Sequence, residues 1–326
     1  MLKQLAVCAA LVGATSSVAV AGDGTNLTKY VADTTSVMIV LDVAGAKSTK
    51  LIKDTFSKLL ESQADAKAKL DEIGLEPLRD IDTIAVTFGG FSELENLGDT
   101  RSMVMIVEGR MPKDLTKFKG ASSRSLQDGV EIYTKDDNDI VFLDGRLFIA
   151  QKGNIGKVIS FAKGKSKASL ATGGGGKEMR DTIKAASTKS HMWGAVLLPK
   201  KDREKTVAAQ MPLTAASFGF KFSSELDGGL RLESPSPAAA ENTTKLLTGA
   251  LPQVKMMMGG IGLATAANTI ALAQDKAAVT AKIKISETEL KGLFAMIQDK
   301  KSDAPAKPAP PPTKPVPTGG GLSGKP

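Results

Sequence analysis

The chain has 326 residues and a formal net charge of +8, with 42% hydrophobic but only 4% aromatic side chains and a single cysteine, Cys8. That balance excludes a disordered chain and requires a core built from Leu, Ile, Val, Ala and Met. The length excludes a minimal stapled scaffold and allows two ordinary domains or one elongated one.

Residues 1–21 read as a secretory leader. Lys3 supplies the positive start, Leu5 to Val12 the apolar segment, and Ala19 and Ala21 the small residues of a cleavage site. The apolar segment is too short to span a bilayer. Cys8 lies inside it, behind the bulky Val7, which argues against lipid attachment. Cleavage removes the only cysteine, so the expected mature chain has no disulfide, thiol nucleophile or Cys-ligated metal. The expected location is the bacterial periplasm or the medium outside the cell. Lys3 leaves with the leader, and residues 300–326 hold five lysines against Asp303, so only about +3 remains between them. Such a near balance argues against a nucleic-acid-binding face.

The pattern predicts a strand at Val37–Leu41, followed by an amphipathic helix over Lys47–Ile73 that Gly74 stops. Strands are predicted at Thr83–Phe88 and Ser102–Glu108, then a helix opening at Pro112. Further strands follow at Val130–Thr134, Ile140–Leu143 and Leu147–Ala150, and a helix at Ile155–Ala162. Residues 166–176, rich in Gly, Lys and Ser, read as a mobile link. A helix is predicted at Lys177–Ala186, a strand at His191–Leu198 and a helix at Lys200–Gln210. Strands then follow at Ala215–Phe222 and Gly229–Glu233. Ser236-Pro237 opens a helix with the stripe Leu247, Leu251, Val254, Met258. Strands at Thr269–Ala273 and Val279–Ile285 lead to a helix at Glu287–Ile297 capped by Ser286. Residues 300–326, with their Pro, Gly and Lys, read as a disordered tail suited to touching an anionic envelope surface.

The predicted class is α+β: two related β-α-β-β-α-β-β-α halves, 22–165 and 177–299, with antiparallel or mixed sheets packed by amphipathic helices. The second half lacks one strand in this reading.

No catalytic, cofactor-binding or metal-ligating set emerges. The run from Ala171 to Lys177 lacks the first glycine and the Ser/Thr of a phosphate-binding loop. Ser160 and Lys163 have the spacing of penicillin-recognising enzymes, without the companion motifs. His191, the one histidine, would have to serve any His-based general base and sits at a strand start. Asp136 to Asp139 fails the calcium-loop pattern, and Asp144-Gly145 reads as a hairpin turn. Met256 to Gln274 is uncharged but too diluted by Gly, Asn and Thr for a membrane helix. The three methionines at 256–258 suit either core packing or an apolar pocket, whose lining would be Leu247, Leu251, Val254, Met257 and Met258.

Gly74 to Asp82, Glu108-Gly109-Arg110, Gly129 to Tyr133 and Phe142 to Leu147 follow one another as strand ends and turns. In that order they resemble a broad group of exported bacterial α+β proteins classed as domains of unknown function. The resemblance runs from Val37 to Pro199 and more loosely to Gln298. It implies an envelope location and the repeat, and lends no catalytic residue. Three functions stay open: a non-enzymatic envelope protein acting by binding or interaction, a carrier of an apolar ligand or lipid, and a hydrolase using carboxylates such as Asp136 and Asp144.

Overall fold

The computed structural model describes residues 24–49, 76–89, 102–111, 123–135, 137–186, 188–208 and 210–293. The leader, most of the helix expected over 47–73, the helix expected from Pro112, and the tail lie outside the described residues. A 3-10 turn at Thr25–Tyr30 opens the described chain. The helices are α1 (Val43–Ala46), α2 (Pro77–Asp80), α3 (Ile155–Ala162), α4 (Lys177–Ala185), α5 (Lys200–Ala208), α6 (Pro237–Gly260), α7 (Ala264–Thr269) and α8 (residues 287–293). The strands are β1 (Val37–Asp42), β2 (Ile81–Phe88), β3 (Val104–Gly109), β4 (Ser123–Gln127), β5 (Val130–Lys135) and β6 (Asn138–Leu143). They continue as β7 (Arg146–Gln151), β8 (Met192–Leu197), β9 (Ala215–Phe222), β10 (Glu225–Glu233), β11 (Ala271–Asp275) and β12 (Ala278–Ser286). The fold is α+β.

All twelve strands join one sheet in the order β11-β12-β10-β9-β8-β1-β2-β3-β7-β6-β5-β4. Every pairing is antiparallel, so of the expected antiparallel or mixed sheets the antiparallel form is found, as one continuous sheet. The physical reason is at the centre. β1 pairs with β8, placing Val40 opposite Trp193 and Met38 opposite Ala195, so neither strand presents a free edge.

Alternation along β1 divides the sheet into two faces. Met38 and Val40 point to the face that we call the front. They share a core there with Tyr30, Phe148, Ile159, Leu170, Met179 and Trp193. Val37, Ile39 and Leu41 belong to the back, with Ile84, Val86, Val107 and Leu147. Both faces of β1, β2, β3, β6 and β7 thus carry apolar core residues, which is why these strands read as hydrophobic runs. β10 and β12 instead alternate. Leu226, Leu230, Leu232, Val279, Ile283 and Ile285 face the back, while Asp227, Arg231, Lys282 and Lys284 face the front. Here the front is a solvated sheet surface. Arg231 pairs with Glu233 (2.6 Å) and Asp275 (2.8 Å), and Lys284 with Glu225 (2.9 Å).

Residues 166–176 make defined contacts with the body of the fold. Leu170 is fully buried, its N–H donates to Val31 O (2.6 Å), and Asp33 N–H donates to Ala168 O (2.9 Å). Arg180 Nη1 donates to the carbonyls of Leu170 (2.7 Å) and Gly173 (2.8 Å). Glycine is required for this approach, because a Cβ on Gly173 would stand 2.4 Å from an Asp33 carboxylate oxygen.

The 3-10 turn, α1, α2, β4 and α7 all escape the sequence pattern. β4 is an edge strand of sequence SRSLQ, polar enough to read as loop, with Leu126 71% exposed. α7 takes residues 264–269, so β11 begins at Ala271 rather than Thr269. Thr269 Oγ1 donates to Ala266 O and accepts from Lys284 N–H, using the side chain where the strand was expected to start.

Candidate functional site

Among the described residues, His191, Asp139, Asp144 and Ser160, which the sequence singles out for chemistry, all make structural contacts. His191 Nδ1 accepts the Phe222 backbone N–H (2.9 Å), and its ring stacks on Phe222 at 5.9 Å. Burial lowers its pKa below the ordinary imidazole value; Asp42 opposes that shift and Lys221 adds to it. Because the folded value is depressed, the neutral ring contributes stability that is fully present above about pH 6.5 and lost as pH falls through the folded pKa. A proton NMR titration of this lone histidine is expected to give a midpoint below that of an unfolded chain. A midpoint at or above about 6.5 overturns the prediction.

Asp144 accepts the Tyr30 hydroxyl (3.0 Å), which itself accepts from Arg146 Nη1 (3.0 Å), and Arg146 Nε donates to Glu108 (2.6 Å). Asp139 accepts from Thr134 Oγ1 and Gly153 N–H, both at 2.8 Å. Asp136 lies outside the described residues. Ser160 Oγ donates to Gly156 O within its own helix (2.9 Å). Among the described residues no three His, Cys, Asp or Glu side chains converge as metal ligands. None of the described helices is long and apolar enough to cross a membrane.

A concave feature lined almost wholly by apolar side chains lies on the back face. Ser236 Oγ accepts Ala239 N–H (3.2 Å) and Pro237 takes the first turn, so α6 starts where the sequence places it. Its first turns are anchored: Ala240 and Thr243 are fully buried. Further on, Leu247, Leu251, Val254 and Met258 point inward yet stay only half-buried. The helix therefore stands off the sheet and leaves a cavity of about 340 Å³. The floor is Phe220, Leu230, Leu232, Leu272, Val279, Ala281 and Ile283, with Ile270 at one side. Gly229 and Lys282 border it from strand positions that face the front.

Four of the five residues named from sequence, Leu247, Leu251, Val254 and Met258, meet in this lining. Met257 does not: it is 59% exposed. Steps of four, three and four residues keep the other four on one stripe, whereas Met257 is turned about 100° from Met258. Leu246, Met256 and Ile261 join it on the outer side, at 42%, 72% and 44% exposure. The floor residues were not singled out from sequence, although the alternation in ELDGGLRLE and AVTAKIKIS carries them.

The Phe220 ring covers Gly228 of the neighbouring strand, where a Cβ would stand 2.0 Å from it. Phe218 covers Gly194 in the same way, at 2.4 Å. Thr243 Oγ1 is buried with no hydrogen-bond partner.

No family model matches the chain, and no curated protein matches it. Two solved structures are similar to it over most of their length. Crystal form I of TP0453 has a TM-score of 0.45 at 13% identity, and crystal form IV a TM-score of 0.43 at 11% identity. Each comparison covers 83% of this chain and 96% of the other.

Proposed function

We propose that this chain is an exported, non-enzymatic protein that binds an apolar ligand between α6 and the back face of the sheet. The cavity carries the reading. Its volume lies at the lower end of small-molecule sites, and its lining supplies apolar side chains without a catalytic group. The leader with Ala19 and Ala21 supports export to the periplasm or beyond. We also read the sheet as two related halves. From the β1–β8 seam, each half proceeds outward as three strands followed by a returning hairpin, with β4 and β5 as an extra hairpin in the first. The tail is the segment suited to an anionic envelope surface.

The test is capture of the ligand. Mature protein purified without detergent is expected to release an apolar molecule into organic solvent, identified by mass spectrometry. Protein stripped of it is expected to brighten N-phenyl-1-naphthylamine. The absence of both an extracted molecule and dye binding would count against the reading. A second reading, docking of a partner protein on the outer side of α6, is favoured by the exposed Leu246, Met256, Met257 and Ile261.

A further inference from the structure

We infer that the cavity takes an alkyl chain on the order of ten carbons long, its polar head left in water, and that Phe220 lying over Gly228 sets the length limit. The inference rests on the proposed function and adds the ligand class and the residue pair that selects it.

The lining gives the class. Leu230, Leu232, Leu251, Val254, Leu272 and Ile283 present no hydrogen-bonding atom, so a polar group drawn inside would lose its water without compensation. The part of the ligand inside must be hydrocarbon, and any head group stays at the mouth. A volume of about 340 Å³, divided by about 30 Å³, the share of liquid volume of one water and close to the size of a methylene, gives the chain length.

The glycine gives the limit. Phe220 forms part of the floor, and its ring occupies the space that a side chain at residue 228 would fill. Gly228 has no positive φ, so alanine is compatible with its backbone and the conflict is with the ring alone. Because the sheet backbone lies beneath, the displaced ring rises toward α6 and shortens the cavity.

The test displaces N-phenyl-1-naphthylamine from the full mature chain with n-alkanols of increasing length. Each added methylene is expected to tighten binding about fourfold until the cavity is full. In Gly228→Ala the optimum is expected to move two to three carbons shorter, with about tenfold or greater loss for the best wild-type alcohol. In Phe220→Ala it is expected to move longer, and Gly228→Ala/Phe220→Ala is expected to regain the long chains. Unfolding midpoints establish that each variant is folded; if Gly228→Ala does not fold, Phe220→Ala decides alone. A wild-type length profile in folded Gly228→Ala, or in Phe220→Ala, overturns the inference. Failure of every alkanol to displace dye from the wild type overturns the carrier reading itself, so the two failures are distinguishable.

Discussion

Replacing Trp193 with alanine is expected to lower the free energy of unfolding by about 3–5 kcal/mol. The side chain is 1% exposed and belongs to the strand that closes the central seam, opposite Val40. Its front-face cluster includes Met179 and Ile183 of α4, together with Met38 and Ala195. Truncation therefore opens a void where strands of both sides of the sheet meet a helix, and such sites collapse poorly. Against a total stability of about 5–15 kcal/mol, the loss is about a fifth or more. Because this is the only tryptophan, urea unfolding must be followed by far-UV circular dichroism. Leu126→Ala on the exposed edge strand is the control, with an expected change within about 0.5 kcal/mol. A loss below about 1 kcal/mol for Trp193→Ala would show that the seam is not where the sheet is held together.

How far the sequence carried this fold depends on where each residue's partners lie. Strands buried on both faces, such as β1 and β8, declare themselves as short apolar runs bounded by polar residues. Asp144-Gly145 declares its hairpin because both residues take left-handed backbone, with φ of 52° and 76°. Asp128-Gly129 carries the same signature, at 51° and 76°, and was the available signal for β4. The polar side chains of that edge strand hid it, since one side of an edge needs no partner. The packing of residues 166–176 was not legible. Four glycines look the same whether they swing free or pass close to Asp33, and only the distant partner decides. The cavity was legible in part, because helical spacing named its roof. Its floor required knowing that β10 and β12 are neighbours in register, a long-range fact that alternation alone does not supply. Met257 was assigned by proximity in sequence to Met258, where rotation about the helix axis was the controlling quantity.

That rotation makes a sharp contrast available. Leu251→Asp is expected to weaken binding of an alkyl ligand at least about a hundredfold, equal to about 2.7 kcal/mol. Leu251 lines a cavity whose inward side chains are apolar, and Lys282 borders it only from a strand position that faces the front. A buried unpaired charge costs well over that amount, so the carboxylate either repels the chain or holds water in its place. The fold should tolerate the change. Leu251 is only half-buried, and the anchoring contacts of α6 sit earlier, at Ala240 and Thr243. The unfolding midpoint is expected to stay within the range of an ordinary surface substitution, a shift equal to about 0.5 kcal/mol. Met257→Asp puts the same charge on the same helix, at a residue 59% exposed and turned away from the cavity. It should leave alkanol affinity within about twofold, a change of about 0.4 kcal/mol. If the outer side of α6 is instead the working surface, the ranking reverses: Met257→Asp abolishes capture of the partner protein and Leu251→Asp spares it. Equal ligand affinity in wild type and folded Leu251→Asp would remove the cavity from the mechanism altogether, because no apolar chain can share that space with an unpaired carboxylate at no cost.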